Sequence, residues 1–159
     1  MLTIYKALIR PHLEYGNTIW SPKLKRHSIA IEKIQRRMTK LIPGIKDKPY
    51  QERMKILNLP SLKHRRRRGD LIETFKVLNG FIEVNNIFSL SNNITRTNSK
   101  KIYTPFCKSQ LRKNYLSFRV KPLWNALDQK IVNAPSTNSF KNLLDEDKDF
   151  KALKYEFDG

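Results

Sequence analysis

Four consecutive arginines, Arg65, Arg66, Arg67 and Arg68, constrain this chain more than anything else in it. With Lys63 and His64 they form one basic run, inside a stretch whose apolar residues keep helical spacing. Successive helical residues turn by roughly 100°, so four in a row sweep about 300° of the circumference. They cannot all face solvent on a helix that also packs. Arg65 and Arg68 fall on the side of Leu62, Ile72 and Phe75, so one of them is expected to snorkel or to pair with an acid. Arg66 reaches Asp70 at i+4. A helix start favours acids, so five cations there are locally unfavourable. Outside anions would relieve that conflict, and arginine takes phosphate through two parallel hydrogen bonds. The competing reading is a nuclear-localisation-like run, read by a receptor instead of by a nucleic acid.

A second basic feature precedes it. Lys33, Arg36, Arg37 and Lys40 fall at i, i+3, i+4 and i+7 and share one helix face. Ile31, Ile34, Met38 and Leu41 also keep helical spacing, on nearly the opposite side. The expectation is a helix whose apolar side docks on a core and whose cations meet solvent. Glu32 is the only acid between His27 and Pro43, whereas a merely solvated face usually mixes signs. Such a face suits a phosphate backbone.

Composition says how far this reaches. The 159 residues fit one domain with appendages. They hold 32 Lys and Arg against 14 Asp and Glu, a net +18, and 39% hydrophobic residues allow a modest core. Such a charge points to nucleic acid, an anionic membrane surface or an acidic protein as partner. The first 80 residues hold 19 basic and 6 acidic side chains, so the basic surface is expected there. The last fifteen hold 3 Lys and 6 acids.

Punctuation divides the chain. A short helix is expected over 2–9, stopped by Pro11, with a turn at Gly16–Asn17. The basic helix spans 27–42 and ends at Pro43–Gly44. Pro49 opens a helix over 50–57, and Ser61 caps one over 62–78 that Asn79–Gly80 closes. Its apolar face is Leu71, Ile72, Phe75 and Leu78. One more helical turn is expected over 83–88 and a polar linker over 89–101. An edge strand is expected over 102–106, a strand from alternation over 116–120, and helical spacing over 123–131. A last helix starts near Phe140, capped by Asn138 or Ser139, before a charged tail over 146–159 that frays. The expected fold is mainly α. A basic helical bundle spans 1–88, and a small C-terminal subdomain, α with a short β part, spans 102–145.

Little here suggests bond-making chemistry. Cys107 is alone, and His12, His27 and His64 are scattered, so no metal site or cofactor is expected. Asp145, Glu146, Asp147 and Asp149 read as a solvated run, because a two-metal centre needs acids on rigid strands. Tyr5, Tyr15, Trp20, Tyr50 and Trp124 offer stacking surfaces, but their apolar neighbours favour core packing. There is no GxxxxGK[ST] or GxSxG motif, and no apolar run approaches the roughly 20 residues of a membrane span.

Four strings then carry a resemblance. YKALIRPHLEYGNTIWSP (5–22), IEKIQRRMTKLIPG (31–44), LPSLKHRRRRGDLIETFKVLNG (59–80) and FRVKPLWNALDQKIVNAPSTNSFKNLLD (118–145) are similar, in order and spacing, to one segment of a known family. It is the region after the polymerase palm in non-LTR, LINE-type retrotransposon reverse transcriptases of the jockey and CR1 kind. Those enzymes polymerise with a metal-binding Asp-Asp pair on the palm, and this chain has no Asp-Asp pair. The resemblance therefore implies a thumb-like segment that grips template and primer but does not polymerise. Its implied partners are nucleic acid, whether RNA, DNA or hybrid, and the upstream polymerase domain, in an intracellular and nuclear setting. Its candidate contacts are Lys33, Arg36, Arg37 and Lys40, with Lys63, Arg65, Arg66, Arg67 and Arg68. A coding relic, a domesticated nucleic-acid binder and a module for acidic proteins are the alternatives.

Overall fold

The computed structural model describes residues 1–84, 87–92 and 98–158, and the fold is mainly helical. Contacts divide it into two compact units, Met1–Arg67 with Lys151–Gly159, and Arg68–Phe150. This division differs from the expected 1–88 and 102–145, and the charged tail belongs to the first unit.

The first unit opens with α1 (Leu2–Ile4), a π-helical turn (Tyr5–Ile9) and α2 (Arg10–Glu14). Pro11 does not stop the chain as expected. The wider turn, closed by the Arg10 N–H on the Tyr5 carbonyl, comes just before it. Pro11 then sits at the start of α2, where a missing N–H costs nothing. Gly16, at φ +60°, turns the chain into α3 (Asn17–Trp20). Next come the long basic α4 (Lys25–Lys40), α5 (Tyr50–Ile56) behind Pro49, and the start of α6 (Leu62–Leu78).

Helix α4 is rotated from the expected orientation. Its buried residues are Ser28, Glu32, Gln35 and Thr39, at i, i+4, i+7 and i+11. Ile34 is 39% exposed and Leu41 59%, while Ile31 and Met38 are only half-buried. The reason is what the rest of the unit presents. Tyr5 donates to Gln35 Oε1 at 2.7 Å, and Tyr50 donates to Glu32 Oε1 at 2.5 Å. The Leu62 N–H donates to Glu32 Oε2 at 3.0 Å, and Gln35 Nε2 reaches the Tyr50 hydroxyl and the Pro60 carbonyl at 3.0 and 3.1 Å. Three segments thus bring polar groups to one dry place, and only polar side chains can satisfy them there. Around this network pack Met54, Leu59 and Leu62, each fully buried.

The second unit carries the larger apolar core. The rest of α6 buries Leu71 and Phe75, and Phe75 stacks on Phe140 with ring centroids 4.3 Å apart. Gly80, at φ +71°, ends α6 with the Phe81 N–H on the Lys76 carbonyl, the close expected of Asn79–Gly80. Strands β1 (Ser89–Leu90) and β2 (Ile102–Tyr103) pair antiparallel, Ser89 opposite Tyr103. The expected linker over 89–101 therefore contributes a strand, and part of it and of the expected turn over 83–88 lies outside the described residues.

The expected second strand is instead α7 (Leu116–Arg119), which leads into α8 (Lys121–Ala126) and α9 (Gln129–Val132). In α7, Arg119 forks onto Asp70 at 2.8 and 2.9 Å and donates to the Asn114 carbonyl at 2.8 Å. Helix α10 (Thr137–Glu146) is capped by Ser136, earlier than expected, whose hydroxyl accepts from the Ser139 N–H at 3.1 Å. Trp124 and Phe140 fill this core, followed by α11 (Lys148–Ala152).

The tail then returns to the first unit. The Ser61 N–H donates to the Lys154 carbonyl at 3.0 Å, and the Ser61 hydroxyl donates to the Glu156 carbonyl at 2.6 Å. Phe157 packs edge-on to Tyr50 at 5.1 Å. The tail is docked where fraying was expected, because the start of α6 offers it the Ser61 N–H and hydroxyl and several cations.

Candidate nucleic-acid interface

The run on α6 is compensated within the chain. Lys63 bonds Glu156 at 2.8 Å and Asp158 at 2.7 Å. Arg65 forks onto Glu14, with Nη2 at 2.7 Å from Oε2. Arg66 is buried and donates to the Ser28 hydroxyl at 2.9 Å. Arg67 bonds Glu156 at 2.6 Å, and Arg68 forks onto Asp145 with both distances 2.7 Å. The conflict of five cations near a helix start is therefore resolved by four of the chain's own carboxylates, where outside phosphate was expected to do it. Their electrostatics agree. Hydrogen bonds from Arg67 and then Lys63 hold the Glu156 carboxyl below its ordinary range. Burial works against the charge on Lys63, but Asp158 and Glu156 outweigh it and leave its amine raised. Asp70, the expected i+4 partner of Arg66, takes the fork of Arg119.

The stripe on α4 is different. Lys33, Arg37 and Lys40 are exposed. Arg36 is half-buried, with its guanidinium carbon 5.1 Å from the Tyr50 ring centre and 5.5 Å from that of Phe157. Among the described residues none of the four forms an ion pair. All four therefore keep their charge available, three facing water and one over aromatic rings.

Beside this face lies an open depression lined by Arg36, Lys40, Lys46, Lys48 and Arg53, with Asp47, Pro49 and Tyr50. Lys46, Lys48 and Arg53 were not singled out in the sequence. A Lys–x–Lys pair just before Pro49 was the available signal. Nothing marked Arg53, whose neighbour Met54 and helical position suggest only an ordinary surface residue.

The aromatics divide as well. Tyr5, Tyr50 and Trp124 are buried and hydrogen-bonded, as core packing requires, but Tyr15 is 84% exposed. Trp20 is also exposed, and its indole N–H donates to the Tyr15 carbonyl. Among the described residues no three His, Cys, Asp or Glu side chains are grouped to hold a metal, and no helix is long and apolar enough to cross a membrane.

Comparison with protein-family models, curated proteins and solved structures gives no match to this chain.

Proposed function

We propose that this chain binds polynucleotide backbone through the exposed face of α4, as a thumb-like segment of a non-LTR retrotransposon reverse transcriptase that lacks the catalytic palm. One observation carries the binding half of this reading. The chain neutralises the cations of α6 with its own carboxylates, yet leaves Lys33, Arg36, Arg37 and Lys40 without any. Of the two basic runs, the one on α4 is therefore the one open to an outside polyanion. The other half rests on the resemblance of the four strings. The absence of an Asp-Asp pair supports a role in holding the substrate, with no polymerisation step assigned to these residues.

Phosphate contacts position a strand without reading its bases. Binding should therefore be similar for different sequences and should weaken log-linearly with salt. The test measures binding of the full chain to single-stranded RNA, single-stranded DNA and an RNA–DNA hybrid over a salt series. Steep slopes with little sequence preference support the reading. Affinity that is indifferent to salt sinks it.

A second partner is favoured by a separate observation. Tyr15 and Ile19 are 84% and 88% exposed, close to the exposed Ile4, Leu8 and Leu24 in sequence. Apolar surface of this kind marks an interface. Under the same reading, its partner is the polymerase domain that precedes this segment in the family.

A further inference from the structure

We infer that the depression lined by Arg36, Lys40, Lys46, Lys48 and Arg53 is a binding site for a single phosphate group. The pointer is Arg53. The residue is 1% exposed, and its Nε and Nη1 are buried without a hydrogen-bond partner. No carboxylate pairs with it among the described residues. A buried guanidinium with open donors is costly and persists where something else supplies the acceptors. A water could satisfy one donor but would not offset the charge.

The surroundings say what the acceptor is. The guanidinium carbons of Arg36 and Arg53 lie 5.1 and 5.7 Å from the centre of the same Tyr50 ring, so two cations share one aromatic support. Burial lowers the proton affinity of Arg53; Tyr50 opposes this, and the neighbouring Arg36 adds to it. Lys40 and Lys46 add free amines, while Lys48 is shared with Glu52 at i+4. Asp47 is the only carboxylate lining the depression. Five cations against one acid exceed what the two oxygens of a carboxylate can serve. A tetrahedral phosphate presents acceptors in several directions, which suits donors that point apart, as Arg53 Nε and Nη1 do, together with the neighbouring amines. The inference deepens the backbone-binding reading and rests on it for the natural source of the phosphate, though not for the site itself.

The test follows the arginine Nε–H resonances of the full chain by NMR. Inorganic phosphate is titrated at matched ionic strength against chloride, and a short oligothymidylate is titrated next. The Arg53 resonance should move and saturate with phosphate but not with chloride. Phosphate should raise the thermal midpoint of the wild type by binding linkage. Arg53→Met should weaken phosphate binding at least about tenfold, the scale of one charge-assisted hydrogen bond. Without phosphate its thermal midpoint should be no lower than wild type, because a buried unpartnered charge has been removed. A merely structural arginine would instead lower that midpoint. Lys46→Gln with Lys48→Gln, both on exposed residues, should weaken phosphate binding too and carries the test if Arg53→Met does not fold. An Arg53 resonance indifferent to phosphate overturns the site, even if the oligonucleotide binds elsewhere. A resonance that responds to phosphate while the oligonucleotide fails to bind upholds the site and overturns the backbone reading.

Discussion

At the scale of single residues, the chain's chemistry lies in how it treats charge away from water. The buried Asp70 and the half-buried Arg119 form a forked pair that also ties down the Asn114 carbonyl. Asp70→Asn removes the carboxylate charge from this fork and should cost about 1–3 kcal/mol in chemical denaturation, the scale of a weakened charge-assisted hydrogen bond. Glu32 is the opposite case, a single buried carboxyl held by Tyr50 and the Leu62 N–H. Burial raises its pKa above the ordinary 4.5, outweighing those hydrogen bonds. The unfolded chain therefore ionises this group first as pH rises. Its stabilising contribution is complete below 4.5 and is lost as pH climbs through the raised folded value. Glu156, held below 4.5 by Arg67 and Lys63, behaves inversely. Its contribution is complete above the ordinary value and is lost as pH falls through the lowered one. Denaturation midpoints across the carboxylate range should show both trends. In Glu32→Gln the loss on the rising-pH side should vanish. That variant should also be weaker by about 1–3 kcal/mol, since its amide must face the donor of either Tyr50 or Leu62.

At the scale of elements, what could be read from sequence was punctuation. Ser61 caps α6 through the His64 N–H at 3.1 Å, Gly80 closes it at positive φ, and Pro49 opens α5, all local signals with local causes. The orientation of α4 was not legible. Its apolar stripe and its polar stripe Ser28, Glu32, Gln35 and Thr39 both have helical spacing, and the choice between them was made by Tyr5, Tyr50 and Leu62 from elsewhere in the chain. The acids of the arginine run were illegible for the same reason. Glu14, Asp145 and Glu156 lie 51, 77 and 89 residues from their partners, and no spacing rule reaches so far. The residues 102–120 failed differently, since alternation at Leu116, Phe118 and Val120 mimics a strand over too few residues to exclude a helix. A pair of substitutions separates the two orientations of α4. Ile34→Ala, on the exposed side, should change stability by no more than about 0.5 kcal/mol. Met54→Ala, fully buried against Gln35, should cost about 2–5 kcal/mol. A large loss in Ile34→Ala would return the apolar stripe to the core.

At the scale of the whole molecule, a net charge of +18 alone would make the chain cling to any polyanion, so affinity by itself decides little. The position of the usable charge decides more. The most direct measurement compares salt slopes for oligonucleotide binding between two triple variants of equal charge. One is Lys33→Gln, Arg37→Gln and Lys40→Gln on the unpaired face of α4. The other is Lys108→Gln, Lys113→Gln and Lys130→Gln, exposed residues far from that helix in sequence. With each lost phosphate contact worth about 0.7–0.9 units of slope, the first should lower its magnitude by about 2–3 units, equally for every base sequence tried. The second should leave the slope close to that of the wild type. Equal losses in both would mean that net charge, and not this surface, does the binding, and an unchanged slope in a folded first variant would remove α4 from the interface.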